Sequence, residues 1–472
     1  MPASRQAVTA QRQIPFVLKA YSVLADALND GVLVGRSHCM AGHVEVGRLA
    51  QQDLTIASFH PRLWLASGAV LCLLSSWYFA LAIAPAGLGS SAPTVQQGLL
   101  PGWLGCREIL HARNPYRSEV TSQAETYVYG KTLPPGTSEN EHRFAYPVSF
   151  VFLFFPIAIL PFEAAQVLML AACVVLSALS VGWWATRPKL GPLDLFGVTI
   201  LTFAAYPVVL GLQLRQPTLI IAALLALCAF CVRSGRLVCA GVLGGLSASK
   251  PHLAVAVLLP LLIWSVASWN ARKRFFLSLG ATVLALFAAS ELLVPGWVPD
   301  WLGTVRAYPH YAGARPLRAE MLGGHFVVTG TVVLLAVVVW LGFEFCDSDL
   351  LFAIAFSVAA FQLLFPFQIY NEILLLPAAV WSATNAAYIR ERGQLHVLLF
   401  GCAWTVLGSG WAATMALAAW DIASPGAGVR LWQLPLLAAW LYPMVLFAAL
   451  VAFASSSVWA RRRTPPGRQV TA

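Results

Sequence analysis

Charge is what this sequence has least of. Asp, Glu, Lys and Arg make up 11% of its 472 residues, against roughly 25% in soluble domains. Five residues are lysine, and no acid occurs between Arg62 and Glu108. Such a chain cannot cover a soluble globule. Hydrophobic residues make up 59% of it, and the mean hydropathy is +0.72. Apolar runs of about 20 residues recur from Arg62 onward and predict membrane-spanning helices. The chain therefore reads as one polytopic membrane domain rather than a row of soluble ones. Its net charge of +10 does not mark a nucleic-acid binder, because the basic residues sit mostly in short loops between spans. The nine cysteines fall largely in apolar runs, where Cys acts as a small hydrophobe. Cys228 and Cys231 form a C-x-x-C with no second pair, and Cys39 with His43 is too little for a zinc site.

Residues 1–61 read as a poorly ordered cytoplasmic extension without the apolar core of a signal peptide, and Met40 is an alternative start. Residues 62–456 read as the membrane domain and residues 457–472 as a basic cytoplasmic tail. The expected spans are Leu63–Ala84, Glu163–Thr186, Asp194–Leu212, Pro217–Val232, Arg236–Ser249, His252–Ser268, Phe275–Val294, Gly324–Phe343, Leu350–Pro366, Glu372–Ile389, Leu395–Trp420 and Leu431–Ser455. Arg461, Arg462 and Arg463 place the C-terminus inside by the positive-inside rule. Counting backwards, the loops with Arg390/Arg392, Arg272/Lys273/Arg274, Arg233/Arg236 and Arg187/Lys189 also fall inside. That register leaves Pro147–Pro161 as a short, proline-rich, non-spanning element. The fold expectation is an all-α polytopic membrane helix bundle of roughly 12 spans. Its long extracytoplasmic first loop, residues 85–146, carries an interfacial helix.

The same register puts the unusual polar residues in outside loops. Lys250 is the only lysine flanked on both sides by long apolar runs, and His252 follows it closely. An ionisable group at a span end is a candidate site, with snorkelling to the interface as the plain alternative. Gln213, Arg215 and Gln216 lie one hairpin earlier on that side, and Lys with Arg suits a phosphate headgroup. In the first loop Leu99, Trp103, Cys106 and Leu110 share a helical face and Glu108 lies opposite, with Pro101 suited to the first turn. Glu119, Glu125, Glu139 and Glu141 read as solvated. Trp297, Trp301, Arg306, Tyr308, Tyr311, Arg315 and Arg318 interleave in a later loop. An aromatic belt accounts for the tryptophans, while Tyr308, His310 and Tyr311 are candidates for lining a sugar cleft. Asn371 and Glu372 at a span mouth are costly unless partnered.

Six stretches carry a resemblance. They are G-x-REILHARNPY at Gly105–Tyr116, FAYP at Phe144–Pro147, LRQPTL at Leu214–Leu219, AGVLGGLSASKPH at Ala240–His252, WLGTVRAYPHY at Trp301–Tyr311 and YNEILLLPA at Tyr370–Ala378. In this order the chain resembles the family 87 glycosyltransferases, polyprenyl-phosphate-sugar-dependent enzymes of the GT-C superfamily related to bacterial mannosyltransferases. The resemblance implies a GT-C fold in the bacterial cytoplasmic (inner) membrane, with both termini inside. It implies inverting transfer of a hexose, mannose first, from a polyprenyl-phosphate donor to a lipid or glycolipid acceptor on the extracytoplasmic face. It implies no metal and no other cofactor.

In that scheme Glu108 is the base. Lys250, Arg215 and Arg107 hold the donor phosphate. His252, Gln216, Tyr146, Tyr308, Tyr311, Asn371 and Glu372 position sugar or acceptor. The sequence departs from the pattern at two places. The Asp that such enzymes carry near the outer end of the first span aligns with Gly98, and a usual Gly before the Gln of the second outside loop is Arg215. A second reading follows from the missing acid: a catalytically inactive lipid-binding or lipid-moving protein on the same scaffold. A secondary transporter fits less well, since no internal repeat is visible.

Overall fold

Apolar helices packed side by side make up the computed structural model, which describes residues 66–89, 95–134, 137, 139–185, 192–311, 327–365 and 368–463. The expectations for residues 1–61, for the Arg187/Lys189 loop and for Arg315 and Arg318 lie outside the described residues. Among those described, no strand occurs. Six of the described helices are long and apolar enough to cross a membrane: Ala66–Leu88, Phe162–Trp184, Trp269–Leu293, Val328–Phe345, Gln394–Ala423 and Gly428–Val458. Four shorter apolar helices, Pro217–Arg233, Leu237–Ser247, Pro251–Ala267 and Leu350–Leu364, stand among them. The protein is thus a multi-pass membrane bundle. Helix Trp269–Leu293 turns Leu277, Leu284, Phe287 and Leu292 outward. Apolar side chains arrayed on the outside of a bundle make a lipid face.

Two expected spans are interrupted. Asp194–Leu212 is a bent pair, Pro192–Ala204 and Tyr206–Gln213, with 64° between them. Pro207 sits in the first turn of the second helix, where its missing N–H costs nothing. Glu372–Ile389 is a 3-10 turn, Ile369–Leu375, followed by Leu376–Thr384 and Ala386–Glu391. Pro377 again starts the α-helix. The expected short element is helix Phe150–Ala158. Nine residues rise about 13 Å, far short of the roughly 30 Å of hydrocarbon, so it does not cross.

Glycine sets the spacing where the site is built. The Leu237–Ser247 helix carries Gly241 and Gly245 toward Trp269–Leu293. A Cβ on Gly241 would lie 2.5 Å from the Phe275 carbonyl oxygen, and one on Gly245 would lie 2.6 Å from Thr282 Cβ. Small residues four apart let the two backbones meet, and this contact fixes the turn that ends in Lys250. The first-loop helix runs Val95–Leu110, so Pro101 falls inside it rather than in its first turn. Its buried face is Leu99, Gly102, Gly105, Cys106 and Ile109, while Leu110 is exposed. The face is rotated from the expected one because Gly105 admits the Phe144 ring, which a Cβ would overlap. The helix packs on Phe150–Ala158, Ser118–Tyr129 and Phe162–Trp184.

Candidate functional site

Five loops that the register assigns to one side meet around a cavity of about 480 Å³. Its lining includes Gly98 and Tyr146 from the first loop, Gln216 from the second, Lys250 and His252 from the third, Tyr308 and Tyr311 from the fourth, and Asn371 from the fifth. Seven of the sequence-derived candidates therefore share one chamber with the aligned acid position. Asn140, His142, Arg143, Trp301 and Tyr370 also line it, and sequence reasoning did not single them out as site residues.

Each wall is pinned by its own local chemistry. Tyr116 Oη donates to the Tyr146 carbonyl at 2.8 Å, and Trp301 Nε1 donates to the Ala145 carbonyl at 3.2 Å. These bonds hold the extended FAYP segment so that the Tyr146 ring stacks on Phe150 at 4.1 Å. Asn114 Nδ2 donates to Asp300 Oδ2 at 2.6 Å, which ties the first loop to helix Trp297–Tyr311 and so to Tyr308 and Tyr311. The Tyr311 hydroxyl is buried and makes no hydrogen bond among the described residues.

Lys250 is the electrostatic centre of the chamber. It ends the turn after Leu237–Ser247 and is 6% exposed. Its Nζ donates to Thr218 Oγ1 at 2.6 Å, and Thr218 donates in turn to Asn371 Oδ1 at 3.1 Å. Gln362 Nε2 donates to the Asn371 carbonyl at 2.9 Å, which fixes the far end of the chain. The ammonium also faces the rings of Tyr146 at 5.8 Å and Tyr370 at 5.5 Å. No carboxylate lines the cavity among the described residues. Burial lowers the Lys250 ammonium to about 7. A buried cation held by hydroxyl and ring faces alone is poised for an incoming anion.

His142 is held in place by its neighbours. Its backbone has φ +53°, the left-handed region rare for a side chain of this size. Its N–H donates to Asn140 Oδ1 at 2.9 Å, and its Nε2 lies 3.2 Å from Tyr129 Oη. The single Tyr129 proton goes to the Asn140 carbonyl at 3.1 Å. Nε2 then carries the imidazole proton and Nδ1 keeps its lone pair. Burial pushes the imidazole down to about 4.

Four expected members stand elsewhere. Glu108 is gripped by Arg113, with Oε2 2.7 Å from Nε and Oε1 2.8 Å from Nη2, and it does not line the cavity. Arg107 lies over the Trp103 ring at 4.7 Å. Arg215 Nη1 donates to the Gln213 carbonyl at 2.6 Å, so its guanidinium folds back on its own loop. Glu372 lines a different, apolar groove. Nor is every loop acid solvated: Glu125 is buried and accepts from the Leu133 N–H at 2.9 Å.

Gly98 and Arg215 are structural neighbours. A Cβ on Gly98 would overlap the Leu214 carbonyl oxygen and lie 2.7 Å from Leu214 Cβ. Arg215, one residue on, has φ +50°, a conformation glycine adopts at no cost. The two departures from the sequence pattern thus sit at one contact between helix Val95–Leu110 and the Gln213–Gln216 turn. Among the described residues, no three His, Cys, Asp or Glu side chains cluster so as to hold a metal ion.

The family model of glycosyltransferase family 87 matches residues 144–366. That stretch holds Tyr146, Gln216, Lys250, His252, Tyr308 and Tyr311, so most of the chamber lies within the match. No curated protein and no solved structure matches the chain.

Proposed function

We propose that this membrane protein transfers a hexose, mannose first, from a polyprenyl-phosphate donor to the hydroxyl of a lipid or glycolipid acceptor on the extracytoplasmic face. The match to a membrane glycosyltransferase family supports the reaction class. The observation that carries the donor is Lys250, a buried ammonium facing a chamber lined by no carboxylate. A lipid phosphate ester supplies the missing negative charge and is already a fair leaving group. Lys250 stabilises the charge that grows on that phosphate as the sugar–oxygen bond breaks. Gln216, Asn371 and the unsatisfied Tyr311 hydroxyl offer hydrogen bonds to sugar hydroxyls. The tyrosine and Trp301 faces form the apolar walls on which a pyranose ring packs.

The acceptor proton needs a base within the chamber. Glu108 is engaged by Arg113 outside it. His142 lines it, and at about 4 its basicity equals that of an ordinary aspartate. The proton passes from the acceptor hydroxyl to His142 as the hydroxyl oxygen bonds to the anomeric carbon on the face opposite the departing phosphate, which inverts that centre.

The second reading, a scaffold that keeps the lipid site and has lost transfer, draws on Gly98, where the packing leaves no room for a side chain. One assay separates the two. Membranes holding the chain receive radiolabelled polyprenyl-phosphate-mannose and total lipid extract. Transfer predicts a new labelled lipid, lost in His142→Ala and in Lys250→Met and retained in Glu108→Gln. Donor binding without any labelled product establishes the scaffold reading instead.

A further inference from the structure

Glu372 is the polar group that the chamber leaves unused. Its side chain belongs to a residue 8% exposed, and its Oε1 accepts no hydrogen bond. It borders a second groove of about 330 Å³. That groove lies between the bent pair Pro192–Ala204 and Tyr206–Gln213, the Leu376–Thr384 helix, and the long helices Gln394–Ala423 and Leu434–Arg463. Leu201, Leu376 and Leu407 are among its walls, and Trp404, 40% exposed, stands at its lipid-facing rim. No Lys, Arg or His lines it among the described residues.

A carboxyl in an apolar wall is costly unless a ligand supplies a donor. The groove suits a hydrocarbon chain, and its one carboxyl selects the group at the chain's head. A phosphate would stand unpaired there, because no Lys, Arg or His lines the groove among the described residues. The residue before it, Asn371, lines the chamber whose cation is Lys250. The chamber holds a cation and the groove, among the described residues, holds none, so the two ligands differ in charge. We propose that this groove seats a neutral, hydroxyl-bearing membrane lipid of the diacylglycerol type, its chain against Leu201 and Leu407 and its hydroxyl donating to Glu372. As the seat of the acceptor, the groove rests on the transferase reading; as a lipid site it stands alone.

The test uses the purified full chain in phosphatidylcholine nanodiscs. The probes are diacylglycerol with a diazirine in one acyl chain, and phosphatidic acid carrying the same chain. Diacylglycerol should label peptides containing Leu201, Trp404 and Leu407 at least fivefold more than phosphatidic acid does. Labelling should fall at least fivefold in Glu372→Leu and in Ala379→Trp, which fills the groove and keeps the carboxyl. Equal labelling by both probes overturns the proposal in the wild-type chain alone, whatever the variants do. Label spread over the outward face of Trp269–Leu293, or unchanged in folded variants, overturns it too. Polyprenyl-phosphate-mannose binding, measured on the same discs, separates the two claims. Its absence with groove labelling intact removes the transferase reading and leaves the lipid site. Its presence without groove labelling does the reverse.

Discussion

In the turn before Pro251–Ala267, the lowered Lys250 ammonium, at about 7, ties ligand affinity to pH. In the proposed role the protonated form binds phosphate, so donor affinity should hold below pH 7 and fall about tenfold per unit above it. Lys250→Arg keeps its charge throughout and should flatten that limb; a wild-type titration flat to pH 9 contradicts the role. His142 works in the opposite sense, since its base form is lost as pH falls through about 4. The rate of transfer should therefore plateau between the two limbs, with the acid limb missing in any residual activity of His142→Ala. Gly98 makes a stability prediction. Gly98→Ala pushes a methyl onto the Leu214 backbone, an overpacking that costs about 1–3 kcal/mol. Its melting temperature in detergent should drop, and an unchanged value contradicts the contact. At this scale the sequence was readable where a polar residue interrupts an apolar run, as at Lys250, Gln216 and Asn371. His142 was not readable, because its place depends on a left-handed backbone and on Tyr129, thirteen residues earlier. Glu108 stands outside the chamber, paired with Arg113 five residues on, a pairing that depends on how the helix ends.

Helices transmit these placements. Leu237–Ser247 sets Lys250 only because Gly241 and Gly245 let it approach Trp269–Leu293. Gly245→Val should part the two helices, lowering the melting temperature and weakening donor binding together. Gly280→Ala, on the partner helix with open space around it, should leave both unchanged. Equal effects from the two variants would rule out a specific glycine contact. The apolar helices were legible from apolar length, and most ends agree within a few residues, but of the roughly twelve expected spans six described helices are long enough to cross, or seven with the bent pair. Breaks were less so: Pro207 and Pro377 fall inside expected spans, yet each starts a helix that follows an interruption. The rotated face of Val95–Leu110 was hidden because glycines do not register as hydrophobic positions, although here Gly102 and Gly105 are the ones that face the core.

Across the whole molecule, the chamber is assembled from loops spread between residues 98 and 371, so no short motif could have declared it. The positive-inside register was the signal that grouped them, and five of the loops it put on one side do converge. The network from Lys250 through Thr218 to Asn371 joins two of those loops through the start of helix Pro217–Arg233, which makes the chamber a property of the bundle rather than of any segment. The account's central claim is that Lys250 holds the donor phosphate there. Equilibrium binding of polyprenyl-phosphate-mannose to the purified chain at pH 6, against Lys250→Met, tests it most directly. Losing a buried charge pair of about 3 kcal/mol weakens binding roughly 100-fold, and that is the predicted result. Equal affinity in the two proteins, with the variant folded, would contradict it.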